Sequence, residues 1–275
     1  MTRRFHQPIF GNPERAVGAM SGLMQYGLFL TEWRQGSLQP GALVSRKETM
    51  PEFSDDLFSL DEFQGKKILA HYGIPTVREG SAANRTEALR LAEVIGYPLA
   101  LKIHSPNILH KTDLGGVILN VGCEEELIKS ISALEAKFPE CHDPTGRAGF
   151  LIQEMVTEGV EVLLGMTSDP QFGPLLVLGL GGIMVEVLKD VVFAKPPLTR
   201  LQAERLWTSL QGAALLSGFR GRPPADFQAL IEATINFSYL IDELQDKFKE
   251  IDVNPLMVLG PGKGVKALDA LFIKK

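Results

Sequence analysis

Apolar residues recur at three- and four-residue intervals near the start of the chain, at Val17, Met20, Met24 and Leu28, with Ala16, Leu23 and Gly27 beside them. That spacing predicts a helix with one apolar stripe. Asn12, Pro13 and Glu14 mark its start: a cap, a proline at the first helical position and an acid near the positive end of the dipole. From Gln35 to Asp56 the periodicity disappears among Gly36, Pro40, Gly41, Pro51 and mixed charge, the pattern of a linker. Leu57 to Tyr72 reads as helix again, with Leu60, Phe63, Lys67/Ile68 and Tyr72 roughly in phase and Gly73 and Pro75 as its stop.

Beyond this point the two periods alternate. Thr86 to Ile95 and Glu124 to Phe138 predict helices, and Leu99 to His104 and Val117 to Val121 predict strands. Strands follow at Phe150 to Val156, Val160 to Met166 and Leu175 to Gly179, then helices at Arg200 to Ser217 and Ala225 to Gln245. Two strands, Ile251 to Leu259 and Val265 to Ile273, flank a glycine-rich hairpin connection at residues 260–264. The pattern predicts an α+β fold with largely antiparallel strands. Residues 1–35 form an N-terminal helical segment, 36–56 a linker and 57–275 the main domain.

Composition narrows the classes. The chain has 275 residues, 45% hydrophobic and 22% charged, which excludes disorder, collagen and a disulfide-stapled miniprotein. A net charge of −5 with scattered Lys and Arg leaves no footprint for nucleic acid or anionic lipid. Cys123 and Cys141 lack metal-ligand spacing and point to plain thiols in a reducing, cytoplasmic setting. Arg3 and Arg4 precede an uncharged stretch, but Gly18, Gly22, Gln25 and Gly27 dilute it and no small-residue cleavage site follows, so no export signal is expected. The uncharged stretch from Pro170 to Val185 is too short and too broken by glycine and proline to span a bilayer.

Four constellations carry candidate chemistry. In Leu99 to His104, alternation puts Lys102 and His104 on one face, where Lys102 either sits in solvent on an edge strand or holds a phosphate. The loop from Ser105 to Gly116 gathers His110, Lys111, Thr112 and Asp113 before a Gly115-Gly116 pair that lets backbone approach an anion. Its His110 is either a solvated turn residue or a base, nucleophile or phosphate carrier. Gly179, Gly181 and Gly182, followed by Glu186 and Asp190, have neither Walker A nor Rossmann spacing and fit a tight turn on their own. In Glu250 to Asn254 the polar residues share one strand face, and the hairpin brings Asp269 opposite Asn254 or Pro255. Two carboxylates and an amide oxygen there suit Mg²⁺; the alternative is a solvent-facing polar strand.

Taken in order, these residues resemble the ATP-grasp subunit of the NDP-forming acyl-CoA synthetases, the acetate–CoA ligase (ADP-forming) family related to succinyl-CoA synthetase. The resemblance runs from about Leu57 to Lys275. It rests on Leu60-Asp-Glu-Phe63, Tyr72-Gly-Ile-Pro75, Leu101-Lys102, Ser105 to Val117, Gln153-Glu-Met155, Glu161, Asp169 to Pro174, Gly179 to Gly182, Glu186, Gly218 to Arg222 and Asp252-Val-Asn-Pro255.

The resemblance implies an ATP-grasp fold in which two α+β subdomains enclose ATP or ADP with Mg²⁺. It implies that Lys102 contacts phosphate, that Gln153, Glu154, Met155 and Val156 form the hinge segment meeting the adenine, and that Glu161 meets the ribose. Asp252, Asn254 and Asp269 match metal ligands, and His110 matches a phosphoryl-relay histidine that receives the group from a phosphohistidine on a CoA-binding partner. The implied reaction is acid + CoA + ATP giving acyl-CoA + ADP + phosphate, in a cytoplasmic hetero-oligomer whose partner handles the acid and CoA. The first helix resembles the tail that ends the CoA-ligase portion of fused members. Two departures stand out: Ala194, beside Lys195, where an arginine is common, and Ser168 where a basic residue is common. The alternatives are an ATP-grasp carboxylate–amine ligase and a non-catalytic regulatory or scaffold subunit.

Overall fold

Two antiparallel sheets organise the main body of the chain. The computed structural model describes residues 10–34, 50–51, 58–105, 108, 111, 114–142, 148–182, 189–219, 221 and 223–275. The expected linker lies almost wholly outside the described residues, as does Glu186. Two compact units result, one within residues 1–41 and one spanning 42–275. Among its described residues the first contributes one helix, α1 (Pro13–Arg34), with the Asn12 carboxamide oxygen accepting from the Arg15 amide at 3.0 Å as the sequence predicts. Its stripe residues Val17, Met20, Met24 and Leu28 are exposed.

In the second unit a four-stranded sheet has the order β2-β5-β3-β4, from β2 (Glu79–Ala82), β3 (Leu99–His104), β4 (Val117–Val121) and β5 (Gly149–Glu154). Helices α3 (Arg85–Ile95) and α4 (Glu124–Lys137) cover one face, where Ala88, Ala92, Leu127, Ile131 and Leu134 pack against Leu99, Leu101, Ile103, Phe150 and Ile152. The larger sheet runs β1 (Ser59–Leu60), β11 (Leu271–Lys274), β9 (Phe248–Val258), β6 (Val160–Asp169), β7 (Gly173–Leu180), β8 (Val191–Ala194), with β10 (Val265–Ala267) also on β9. Its core takes in α5 (Arg200–Ser209) and α6 (Phe227–Leu244), whose Trp207, Leu230, Phe237 and Ile241 are buried. The Trp207 indole donates to the Thr234 hydroxyl at 2.9 Å, so its polar edge is satisfied inside. Helices alternating with largely antiparallel strands make the α+β arrangement that the sequence predicts.

Caps set the helix starts. Asp61, Asn84, Thr199 and Asp226 accept from the amides of Gln64, Glu87, Gln202 and Ala229, each satisfying a donor left orphaned by the first turn. Asp226 also accepts from the Gly264 amide at 2.9 Å, tying α6 to the β9–β10 hairpin.

Four sequence expectations are corrected. The helix expected from Leu57 begins at Glu62, because Ser59 and Leu60 pair with Ile273 and Phe272 and extend the sheet edge. The helix expected from Arg200 to Ser217 ends at Ser209, where the Asp190 carboxylate accepts from the Gln211 and Gly212 amides at 3.1 and 2.9 Å and pins a turn; a short 3₁₀ segment follows. The last strand is two, β10 and β11, broken at Leu268 to Ala270. Strands β2 and β8 had no alternation strong enough to reveal them; the first reads Glu-Gly-Ser-Ala. Neither Cys123 nor Cys141 forms a disulfide, and among the described residues no helix is long and apolar enough to cross a membrane.

Candidate functional site

The small sheet turns its helix-free face toward the start of α2 (Glu62–His71). Alternation along β3 sends Leu99, Leu101 and Ile103 into the core and Lys102 and His104 to this face. All six are buried, which removes the solvent-facing alternative for Lys102, 5% exposed. Register places Gln153 opposite Ala100 on one side and Glu79 on the other, so β2, β5 and β3 present Glu79, Gln153 and Lys102 together.

Three ammonium groups meet one carboxylate here. Glu62 accepts from Lys66 at 2.7 Å, Lys102 at 2.6 Å and Lys111 at 3.0 Å. Lys66 also pairs with Glu79 and contacts Gln153 Oε1 at 3.4 Å and the Leu268 carbonyl at 3.2 Å. Lys102 donates to the same carbonyl at 2.9 Å and faces Asp269 at 3.6 Å. Burial works to push the Glu62 carboxyl upward, but Lys102, Lys66 and Lys111 outweigh it and hold it well below the usual carboxylate range. For Lys102, burial works downward and is outweighed by Asp269 and Glu62, so the ammonium stays charged. Burial raises Glu79 to about 7 against the pull of Lys66. It lowers His104, a neutral imidazole at pH 7 whose Nε2 is 3.9 Å from Asp61 and whose Nδ1 has no partner among the described residues.

The break between β10 and β11 delivers Asp269. Val265 to Ala267 pair with Val258 to Leu256, and Leu271 resumes the same register opposite Asp252, so Asp269 stands level with Asn254, as the hairpin count predicts. Glu250, Asp252 and Asn254 share one face of β9, with Ile251 and Val253 buried on the other. Burial, then the charges of Asp269 and Glu250, raise Asp252 to about 6. Among the described residues no group of three His, Cys, Asp or Glu could hold a metal. The available donors are two carboxylates and one amide oxygen. An all-oxygen set of this size fits Mg²⁺, which fills its remaining positions with water and phosphate.

The other expected contacts are placed unevenly. Gln153 turns to Lys66, and Glu154 accepts from the Arg78 amide and guanidinium at 3.0 and 2.9 Å and from Lys266 at 2.6 Å, tying β5 to β2 and β10. Burial raises the Glu154 carboxyl, but these donors outweigh it and the net shift is downward. Met155 and Val156 are half-buried. Glu161 is exposed on β6, its carbonyl accepting from the Gly181 amide at 2.7 Å; a side chain at Gly181 would collide with Glu161, and Gly182 has φ +61°. A cavity of about 400 Å³ next to this segment is lined by Thr157, Glu158, Pro223, Pro224, Val258 and Lys263 among others, but not by Gln153 to Val156 or Glu161. His110 lies outside the described residues. Ala194 is half-buried in β8, and Ser168 donates to the Lys249 carbonyl at 3.1 Å.

Glu62, Lys66 and Glu79 were not foreseen as site residues. Glu62 and Lys66 are four apart on a helix, which in sequence reads as an ordinary surface pair; their burial against the small sheet is a tertiary fact.

The ATP-grasp domain family matches residues 54–273. The β subunit of ADP-forming acetate–CoA ligase II from Pyrococcus furiosus is 41% identical over 214 residues, 78% of this chain and 91% of that protein. ADP-forming acetate–CoA ligase I from Archaeoglobus fulgidus is 36% identical over 266 residues, 94% of this chain but 38% of that one. Among solved structures, acetyl-coenzyme A synthetase 1 of Ca. Korarchaeum cryptofilum, in complex with coenzyme A and Mg-AMPPCP and with its phosphohistidine segment pointing towards the nucleotide binding site, superposes with a TM-score of 0.68 at 35% identity, over 79% of this chain and 93% of that one.

Proposed function

The chain belongs to the ATP-grasp family, among relatives of the β subunit of ADP-forming acetate–CoA ligase, and we propose that it is the nucleotide-binding subunit of such an enzyme. In this reading it works in the cytoplasm with a CoA-binding subunit, the two catalysing acid + CoA + ATP to acyl-CoA + ADP + phosphate and the reverse. This chain transfers the phosphoryl group between nucleotide and a protein histidine. The observation that carries the reading is the approach of Lys102 to Asp269, a buried cation beside a candidate metal ligand, where phosphate and Mg²⁺ are needed together.

Lys102, on a rigid central strand, neutralises phosphate charge. The sequence match of Gln153 to Val156 supports their backbone as the adenine contact, and that of Glu161 the ribose contact. Asp252, Asn254 and Asp269 hold Mg²⁺, which when bound offsets charge on the transferring group and fixes its geometry. His110 takes part in the relay, a role supported by the Ser105 to Val117 motif. Phosphoryl transfer asks mainly for positioning and charge neutralisation, and a buried lysine next to oxygen ligands supplies both.

Reconstitution tests the reading. The isolated chain should bind MgATP by calorimetry and make no acyl-CoA until the CoA-binding subunit is added. Robust synthesis by the chain alone, or absence of MgATP binding, would sink it.

A further inference from the structure

Glu62 stands where three ammonium groups converge from separate elements: Lys66 from α2, Lys102 from β3 and Lys111 from the segment before β4. The space left beside it is small. The cavity lined by Glu62, Lys111, Asp269 and Ser105 has a volume of about 30 Å³. A phosphate that draws on all three lysines meets the position that the Glu62 carboxylate holds.

The chemistry of exchange is favourable. Carboxylate and phosphate oxygens accept the same charge-assisted bonds from an ammonium group at the same distances. Lys102 has three donors; one goes to Glu62, one to the Leu268 carbonyl, and Asp269 lies 3.6 Å away. Lys66 is already met by Glu62, Glu79 and the Leu268 carbonyl. A phosphate bound by all three lysines together competes with Glu62, the acceptor that they share.

We propose that Glu62 is an internal counter-anion that holds the phosphate position between Lys66, Lys102 and Lys111, and that a nucleotide phosphate binds by displacing it. This rests on the reading of Lys102 as a phosphate contact. Glu62 is then a positioning residue that keeps the lysines gathered and charged while competing with the ligand. A purely structural role has the opposite sign, since losing the group that gathers the lysines would weaken anion binding.

Calorimetry on the full chain separates the two, with tripolyphosphate in the absence of Mg²⁺ and with MgATP as probes. Glu62→Gln keeps the shape and removes the charge, and should bind tripolyphosphate about tenfold or more tightly than wild type, a difference of about 1.4 kcal/mol. Equal or weaker binding by folded Glu62→Gln overturns the proposal. Should Glu62→Gln fail to fold, Glu62→Asp decides it: its carboxylate is one methylene short of reaching all three lysines, so tighter binding supports the proposal and equal or weaker binding overturns it. Wild type that binds neither probe overturns the phosphate reading of Lys102 together with this inference. Wild type that binds both, with the variants no tighter, overturns the inference alone.

Discussion

The Lys102 ammonium lies 3.6 Å from the Asp269 carboxylate, although one comes from the middle of a strand in the small sheet and the other from a break between two strands of the large one. The contact brings a candidate phosphate ligand and a candidate metal ligand to one point, and most of the functional expectations can be tested through it.

Lys102→Ala removes a buried charge-assisted contact, a type of bond worth on the order of 1.5–3 kcal/mol. MgATP should bind about ten- to a hundredfold more weakly in titration calorimetry. Unchanged affinity would return Lys102 to a purely structural role with Glu62.

Asp252→Asn and Asp269→Asn should each raise the Mg²⁺ concentration needed for nucleotide binding, on the order of tenfold or more, because each removes one anionic oxygen from a small set. A Mg²⁺ titration at fixed ATP measures this. Wild-type Mg²⁺ dependence in both variants would end the metal assignment.

Glu79 is raised from an ordinary 4.5 to about 7, mainly by burial. A carboxyl raised in the folded state adds stability below its unfolded value, and the gain is lost as pH rises through the folded value. Wild type should therefore lose on the order of 1–2 kcal/mol relative to Glu79→Gln between pH 5 and pH 8. Denaturant unfolding at the two pH values gives the difference; parallel pH profiles would refute it.

His110→Ala should leave MgATP affinity within about twofold of wild type while abolishing acyl-CoA formation with the partner present, since it removes only the group acceptor. Calorimetry and a coupled acyl-CoA assay on the same preparation separate the two. Full turnover would remove His110 from the relay.

Trp207→Ala should lower stability by about 3–5 kcal/mol, the range for deleting a large buried aromatic side chain. The Thr234 hydroxyl also loses the indole donor. Chemical denaturation reads the change; a loss under about 1 kcal/mol would mean that the core refills the space.

Much of this protein was determined by sequence alone, wherever the physics is local. Period-2 alternation set β3 and its two faces, and the cap at Asn12 set the start of the first helix, because these depend on neighbours within four residues. The level placement of Asp269 and Asn254 followed from counting across a hairpin. Tertiary structure decided the rest. Ser59 and Leu60 carry a helical pattern but are strand because the edge of β11 offers partners 214 and 212 positions later, at Ile273 and Phe272. Lys102 could be solvated or buried by alternation alone; packing of α2 against the small sheet buried it. Glu62 and Lys66 were legible only as an i, i+4 pair. Their meeting with Lys102 and Lys111 depends on the start of α2 packing on the small sheet, and an electrostatic contact between distant segments leaves no periodic trace in a sequence.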